Sequence, residues 1–137
     1  IGLTERQMNA VSNYWDNLLE AGASDSRAET LAMAYYGRLL NHRARTIART
    51  ETIRAAGMGR EALWRQAVNE GLLDPYASRR QWLVTPDDRL CPVCEAIPDM
   101  NPGGVGLFEQ FQTQNGPELQ EPAHPNCRCS VVLSTIG

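Results

Sequence analysis

Two short stretches decide the fold of this chain: DDRLCPVC at residues 87–94 and HPNCRC at residues 124–129. Together they contain all four cysteines of the 137-residue chain and one of its two histidines. Two residues between a pair of cysteines allow both sulfurs to reach one tetrahedral metal ion. We therefore expect the two stretches to meet at a structural Zn²⁺ site, which would close the long segment between them.

More side chains are available than a tetrahedral ion needs. Two thiolates can come from the first stretch, and the second offers either two further thiolates or an imidazole in place of one of them. The spacing leaves this choice open. The predicted ligands are therefore four of the following five residues: Cys91, Cys94, His124, Cys127 and Cys129.

Three other interpretations of the cysteines are open. Two disulfides would suit a secreted chain, although nothing in this sequence resembles a signal peptide. Four reduced cysteines need not share a site at all. A thioredoxin-like redox pair would place Cys91 and Cys94 at the start of a helix that follows a strand. Prolines at positions 92, 98 and 102 predict that no long helix forms there.

Charge is distributed unevenly along the chain. The net charge is −3, from 16 acidic and 13 basic residues, and every base is an arginine. Seven arginines and two acids lie between Arg38 and Arg65, whereas Glu95 to Glu121 contains five acids and no arginine. This separation favours specific contacts over general adhesion to nucleic acid. No apolar run approaches the roughly 18 residues of a membrane span, so we expect no membrane partner.

The first 75 residues predict helices. A capping box at residues 4–7 precedes the apolar stripe of a first helix. A second helix is expected to begin at residues 24–26 and to continue without proline to Ala56. Gly-Met-Gly at residues 57–59 predicts the end of that helix, and a third helix is expected over residues 60–70.

The second predicted helix carries a row of arginines with two possible roles. Guanidinium groups suit phosphates and acidic protein patches equally well, so the row could contact a partner. Alternatively, it is a solvated helix face, and we expect the neighbouring His42 to be a surface residue. The candidate partner-binding residues are Arg38, Arg43, Arg45, Arg49 and Arg54.

Residues 76–137 predict a small β region. Alternation over Arg79–Thr85 predicts a strand, which we expect to pair antiparallel with Ser130–Thr135. Residues 95–126 contain five of the eight prolines and predict a long, poorly structured loop, which is unusual unless it is tied down. The predicted fold class is α+β: N-terminal helices, then a small antiparallel sheet with a zinc-knuckle-like cysteine/histidine cluster, within one continuous domain.

Three blocks of this sequence resemble a known family. RTIARTE at residues 45–51 is similar to the family's IARTE helix, and Trp82 followed by DDRLCPVC is similar to its segment with tryptophan and two cysteines. HPNCRC is similar to the block that closes the family's pattern. The order and spacing match the Mu F-like phage head morphogenesis proteins, also called minor head or minor capsid proteins, over roughly residues 38–134.

This resemblance implies a virion component that is made in the bacterial host cytoplasm together with the portal protein. It implies a non-enzymatic role in head assembly, DNA packaging or DNA delivery, with portal or capsid proteins as partners and no small-molecule substrate. An alternative function is a nucleic-acid-binding zinc module that contacts packaged DNA through the arginine row. An enzyme is a third possibility, with either a Cys127–His124 nucleophile pair or a catalytic zinc that keeps one position open for water and has His124 or a carboxylate such as Asp88 in its ligand set. The chain begins with Ile-Gly-Leu and lacks an initial Met, which fits a piece of a longer protein.

Overall fold

The computed structural model describes residues 2–135. Ile1 and residues 136–137, the outermost positions of the predicted regions 1–75 and 76–137, lie outside the described residues. The predicted α+β class is confirmed, because helices precede a three-stranded antiparallel sheet. Among the described residues, no helix is both long and apolar enough to cross a membrane. The elements are α1 (Glu5–Glu20), α2 (Asp25–Asn69), β1 (Ser78–Leu83), α3 (Pro92–Met100), β2 (Val105–Gly106) and β3 (Ser130–Thr135).

The chain forms two compact units, which divide within α2. The first extends to Ala48 and the second begins at Arg49, so the C-terminal part of α2 belongs to the same unit as the cysteines. The sequence predicts a helical region up to residue 75 and a β region after it, and this division stays a prediction. The two packed units are a different division of the chain, between Ala48 and Arg49.

The first unit is a helical hairpin with little buried surface. The predicted capping box is present at the start of α1: the Thr4 hydroxyl accepts from the Gln7 amide at 3.2 Å, and the Gln7 side chain accepts from the Thr4 amide at 3.0 Å. The Tyr14 and Tyr35 rings meet edge to face, with centroids 5.1 Å apart. Such pairs add to the apolar contact between helices.

The predicted break at residues 57–59 is wrong, because α2 continues through it to Asn69. Glycine inside a helix costs about 1 kcal/mol relative to alanine but does not stop it as proline does. Gly57 has a packing role instead. A Cβ at this position would lie 3.0 Å from the backbone oxygen of Glu121 and 3.1 Å from Cγ of Gln120. The glycine therefore lets a distant segment pack closely against the helix.

The sheet has the strand order β2-β1-β3, and both pairings are antiparallel. The predicted pairing of β1 with β3 is confirmed, with Ser78 opposite Thr135 and Leu83 opposite Ser130. Side chains alternate along β1, and Arg80 and Trp82 are buried with Ser78 on one side. β1 begins one residue before the predicted strand and ends at Leu83.

The expectation of a poorly structured loop over residues 95–126 is correct only for its second part, because no helix or strand lies among the described residues between Gly106 and Ser130. In the first part α3 occupies the start and β2 pairs with β1, and further on Phe111 forms an isolated bridge with Glu118. Pro92 occupies the first turn of α3, where its missing N–H costs nothing. The helix ends two residues after Pro98, so that proline interrupts only its last turn.

The core of the second unit lies between the sheet, α3 and the segment that follows α3, residues 101–123. The Trp82 and Phe111 rings meet edge to face, with centroids 5.2 Å apart. Buried Asn101 joins the end of α3 to the segment: its side chain donates to the Ile97 and Gln112 carbonyls at 2.7 and 2.9 Å and accepts from the Gln112 amide at 2.8 Å. The cluster consists of Trp82, Cys94, Ile97, Val105, Phe111, Ala123, Cys127, Cys129 and Val131.

Arg80 is fully buried, at 0 % exposure, and its hydrogen bonds anchor the segment that follows α3. Its guanidinium donates to the backbone oxygens of Gly106 at 3.3 Å, Leu119 at 2.5 Å and Glu109. It also lies over the Phe111 ring, 5.1 Å from the centroid. Burial lowers the pKa of Arg80 from its ordinary value. One side chain thus satisfies carbonyls from three positions of the segment.

Replacing Arg80 with Met should destabilise the chain by about 3–5 kcal/mol. The apolar side chain would leave buried carbonyl oxygens without donors, at about 1–3 kcal/mol each and not fully additive. Arg79→Met is the control, because Arg79 donates to the Gly103 and Gly104 carbonyls from a less buried position. Urea unfolding followed by tryptophan fluorescence measures both. Equal losses in the two variants would contradict a special role for Arg80.

Candidate metal centre

Strand pairing brings the two cysteine stretches together at one end of the sheet. Residues 91–94, the CPVC motif, follow β1, whereas residues 124–129, the HPNCRC motif, lead directly into β3. Because Leu83 pairs with Ser130, the two motifs meet where these strands end. The expected position of the cluster at the end of a small sheet is therefore what the structure shows.

An ion pair and a hydrogen bond connect the two stretches beside the cysteines. The Arg128 guanidinium donates to both carboxylate oxygens of Asp87, at 2.6 Å for the Nη1–Oδ2 pair. The Thr85 hydroxyl donates to the Arg128 carbonyl at 3.0 Å. The hydrogen bond from Arg128 lowers the pKa of Asp87 to about 2. The carboxylate therefore remains charged, and the ion pair intact, until the pH falls towards that value.

His124 points its Nε2 atom at the CPVC motif. Nε2 lies 3.0 Å from Cys91 Sγ and 2.8 Å from Cys94 Sγ. Nδ1 lies 2.7 Å from the Pro125 carbonyl oxygen. If Nδ1 carries the proton and donates to that carbonyl, Nε2 is free to bind a metal. Metal-binding histidines are usually held in this way.

All five predicted ligands lie together, in two groups that share Cys94. The first group adds Cys91 and His124, the second adds Cys127 and Cys129, and within each the ligand atoms lie within 4.8 Å of one another. Cys94 Sγ and Cys127 Sγ are 3.9 Å apart. Two sulfurs bound to one tetrahedral zinc at about 2.3 Å would be about 3.8 Å apart. The group can therefore hold a metal ion after small adjustments.

The cluster is closed on one side and open on the other. Cys94, Cys127 and Cys129 are buried, whereas Cys91 and His124 are partly exposed. A cavity of about 20 Å³ lies at the open side and is lined by several residues of both motifs. This volume holds roughly one water molecule or ion. A metal could therefore enter at Cys91 and His124 and be sealed by the other sulfurs.

The cysteines are not joined as disulfides. The 3.9 Å between Cys94 and Cys127 sulfurs far exceeds the roughly 2.05 Å of an S–S bond. No long helix forms at the CPVC motif, as expected, but a short one does, so the prolines are no argument against a redox pair. Cys91 is the N-cap of the nine-residue α3, and the Cys94 amide donates to its sulfur at 3.4 Å. The redox interpretation therefore has to be tested by chemistry.

Burial and hydrogen bonds separate the pKa values of the cysteines. Burial raises the pKa of Cys94 to about 12, so its thiol keeps its proton at neutral pH. A hydrogen bond from the Cys129 thiol lowers the pKa of Cys127 to about 5. The same hydrogen bond raises the pKa of Cys129. The metal-free cluster thus contains a Cys127 thiolate that accepts from a neighbouring thiol.

We expect the apparent zinc affinity to rise with pH. Zinc binding at neutral pH must displace the proton held on Cys94, because the pKa of that thiol lies near 12. Each displaced proton changes the affinity about tenfold per pH unit. A competition titration with a chromophoric chelator between pH 6 and pH 8 measures the slope. An affinity that does not change with pH would mean that no thiol proton is released.

Sequence reasoning missed the contact between α2 and the HPNCRC motif. The Thr50 hydroxyl accepts from the Asn126 amide at 3.1 Å. Thr50 is buried, and Asn126 has a φ of 60°, a left-handed conformation that asparagine tolerates. The position of Thr50 in the RTIARTE block was the one sequence feature that pointed to this residue. Nothing in the helix pattern indicated which distant segment Thr50 contacts.

The five arginines proposed to bind a partner all lie on α2, in different surroundings. Arg38 lies over the Tyr35 ring, 5.6 Å from its centroid. Arg54 is paired with Glu51 at 2.5 Å. Arg43 is partly buried, whereas Arg45, Arg49 and His42 are exposed. Four of the five are therefore exposed, and two of these, Arg38 and Arg54, contact a neighbouring side chain of the same helix. A partner role for the row stays a prediction.

Comparisons of the chain with models of protein families, with curated proteins and with solved structures gave no match.

Proposed function

We propose that the cysteine and histidine cluster holds one structural zinc ion and that the chain is a non-enzymatic head morphogenesis module. In this proposal it acts in the virion with portal or capsid protein, in head assembly, DNA packaging or DNA delivery. One observation carries the metal part of the proposal. The pairing of β1 with β3 brings two cysteine motifs from distant positions together, so that Cys94 belongs to two groups of metal-binding atoms.

The ligands that fit best are Cys91, Cys94, His124 and Cys127. His124 Nε2 faces the first two sulfurs, and Cys127 lies at a zinc-like spacing from Cys94. Backbone amides donate to the sulfurs of Cys91 and Cys127, which favours thiolates there. Cys129 instead acts as a hydrogen-bond donor to Cys127. In this arrangement Cys129 supports the site as a neighbour of a ligand.

The contacts between the three family-like blocks support the head morphogenesis part. Thr50, from the RTIARTE block, binds the turn of the HPNCRC motif. Arg128, from the HPNCRC motif, binds Asp87 at the start of DDRLCPVC. Each block therefore contacts another, which gives a physical reason for the three to occur together.

Binding of packaged DNA is the second candidate, favoured by the exposed Arg45 and Arg49. Phosphate contacts make affinity fall steeply with salt concentration. The net charge of −3 and the carboxylate next to Arg54 oppose this interpretation. Titration of double-stranded DNA at two salt concentrations distinguishes it from protein binding. Tight binding with a steep salt slope, lost in the double variant Arg45→Ala/Arg49→Ala, would favour DNA.

The first experiment is elemental analysis of the purified chain together with a thiol count after unfolding. One zinc per chain and four titratable thiols would support the structural site. Absence of metal with no free thiols would indicate disulfides. A reversible two-electron redox couple of Cys91 and Cys94 without metal would favour the redox interpretation.

The partner is tested with purified portal and capsid proteins of the phage or prophage that encodes this chain. The zinc-loaded chain should retain one of them on an affinity column, and the chelator-treated chain should not. The matched control is a loaded chain with Arg45 and Arg49 replaced by alanine, which separates the arginine row from the metal. Failure of the loaded chain to retain either protein would contradict the assembly role while leaving the metal site intact.

A further inference from the structure

The helical hairpin of the first unit buries very few of its apolar side chains. Among its described residues only Ala28 and Ala32 are buried, and α1 has no buried residue. The two helices meet through one stripe of residues each, where the Tyr14 and Tyr35 rings are in contact. Two helices side by side can cover only these stripes, so any other apolar residue of the hairpin stays at the surface.

Each helix carries a second apolar stripe beside the one that packs. Residues seven or eleven positions apart lie on nearly the same side of a helix, because one turn contains about 3.6 residues. On α1 this spacing places Met8, Trp15 and Leu19 on one side. On α2 the second stripe consists of Met33, Tyr36, Leu40 and Ile47.

Both second stripes lie on the same side of the hairpin. Along the direction of increasing residue number, the second stripe is rotated from the packing stripe by roughly 90° on α1 and roughly 110° on α2. In antiparallel helices that face each other, rotations of the same sense lead to the same side. The two stripes therefore form one apolar surface, here called the hairpin face, and its most exposed side chains are Met8, Leu19, Met33 and Ile47.

Two opposite charges lie at the two ends of the hairpin face. Glu29 is one turn before Met33, and the partly buried Arg43 lies between Leu40 and Ile47. They are about 21 Å apart along α2, which is too far for them to pair within one chain. Neither takes part in an ion pair among residues 2–135.

The positions of these charges match a two-fold axis. Glu29 lies seven residues before Tyr36 and Arg43 seven residues after it. A second α2 that runs antiparallel and crosses the first at Tyr36 would therefore bring Glu29 of each copy beside Arg43 of the other. A surface that is complementary to itself under a two-fold rotation is what a symmetric dimer requires.

The same axis also matches α1. Because Tyr14 lies level with Tyr35, the axis would cross α1 near Asn13 and place Met8 of one copy close to Leu19 of the other. Over the length of α1, about 24 Å, the face is two helices wide. Two copies would bury roughly 1,000 Å² of surface there, which is at the lower end for specific interfaces.

We propose that the hairpin face binds a second copy of this chain to form an antiparallel four-helix bundle. The second stripes of both copies form the core of this bundle. Two symmetric pairs of Glu29 with Arg43 fix the register of the helices. The dimer is independent of the metal ligands and of a role in the phage head, because all of its contacts come from the first unit.

Sedimentation equilibrium of the full purified chain tests the dimer. The mass should rise with concentration from 15.2 kDa to twice that value, with a midpoint in the micromolar range. Met33→Glu should weaken dimerisation at least about a hundredfold, because it places an unpaired charge in the core of the bundle. Met58→Glu is the matched control: Met58 lies on the same helix outside the first unit and is 56 % exposed, against 58 % for Met33. Circular dichroism checks that both variants keep their helices.

Two charge reversals test the register. Glu29→Arg alone and Arg43→Glu alone should each weaken dimerisation at least about tenfold, because like charges then meet twice in every dimer. An equal mixture of the two variants should form heterodimers as tight as the parent dimer, since opposite charges meet again at both positions. Absence of this recovery, or equal effects of Met33→Glu and Met58→Glu, would overturn the proposal. A chain that stays monomeric up to about 1 mM would also overturn it and leave the face for a different protein.

Discussion

Cys94→Ser is expected to abolish zinc binding and to unfold the cysteine-containing end of the second unit. Cys94 is the residue that both groups of candidate ligands share, so its loss leaves neither group complete. It is also buried in the apolar core, beside Ile97 and Trp82. Structural zinc supplies on the order of 10 kcal/mol of apparent folding free energy in small domains, similar to the total stability of such a domain.

The loss should be visible in both metal content and melting temperature. We expect less than one-tenth of the parent zinc content, and a melting temperature lower by at least about 15 °C. Cys129→Ser is the matched control, since it removes a buried sulfur that we place outside the metal coordination. It should retain one zinc per chain. Loss of zinc from Cys129→Ser and its retention in Cys127→Ser would exchange the roles of these two sulfurs, whereas a stable, zinc-loaded Cys94→Ser would refute the site.

Gly104→Ala is expected to cost about 3 kcal/mol or more. Gly104 has a φ of 76°, and a Cβ there would lie 2.2 Å from the backbone oxygen of Arg80. A non-bonded contact this short cannot form, so the backbone of β1 or β2 would have to move. The neighbouring Val105 pairs with Arg80, and that pairing would be disturbed as well. The large effect therefore comes from close approach of two backbones, with left-handed strain as a smaller part.

Gly103→Ala separates these two causes. Gly103 has a nearly identical φ of 74°, but a Cβ there would meet nothing within 4 Å. The free energy of unfolding of this variant should therefore fall by only about 1 kcal/mol, the cost of a left-handed backbone for a residue with a Cβ. Denaturant unfolding of the two variants under the same conditions measures the difference. Equal midpoints would show that the approach of Gly104 to Arg80 does not limit stability.

The features predicted correctly from the sequence are those with a strict local pattern. Alternation over Arg79–Thr85 and the β-branched run at Ser130–Thr135 allowed their pairing to be predicted, and the capping box at Thr4 specified a helix start. The five metal-binding candidates were identified because two-residue spacing between cysteines is uncommon without a shared site. The pairing of β1 with β3 brings these five residues together.

The features missed depend on contacts between distant residues. Gly57 carries the signal of a helix end, but the contact with Gln120 and Glu121 makes it a packing position. Arg80 lies in the predicted strand, but nothing in the alternating pattern indicates that backbone carbonyls of residues 106–119 surround its guanidinium. The prolines of residues 92–102 suggested a loop, although two of them occupy positions that a short helix tolerates.

The pairing of β1 with β3 also sets the order in which the second unit can fold. Leu83 and Ser130 are neighbours in the sheet, but residues 84–129 lie between them in the chain. Closing such a long segment costs conformational entropy before any sheet contact is gained, which slows folding. α2 needs only local contacts and can form within microseconds. The local contacts of α2 can therefore form before the sheet closes, and zinc bound by both CPVC and HPNCRC would lower the entropy cost of closure by holding the ends of the segment together.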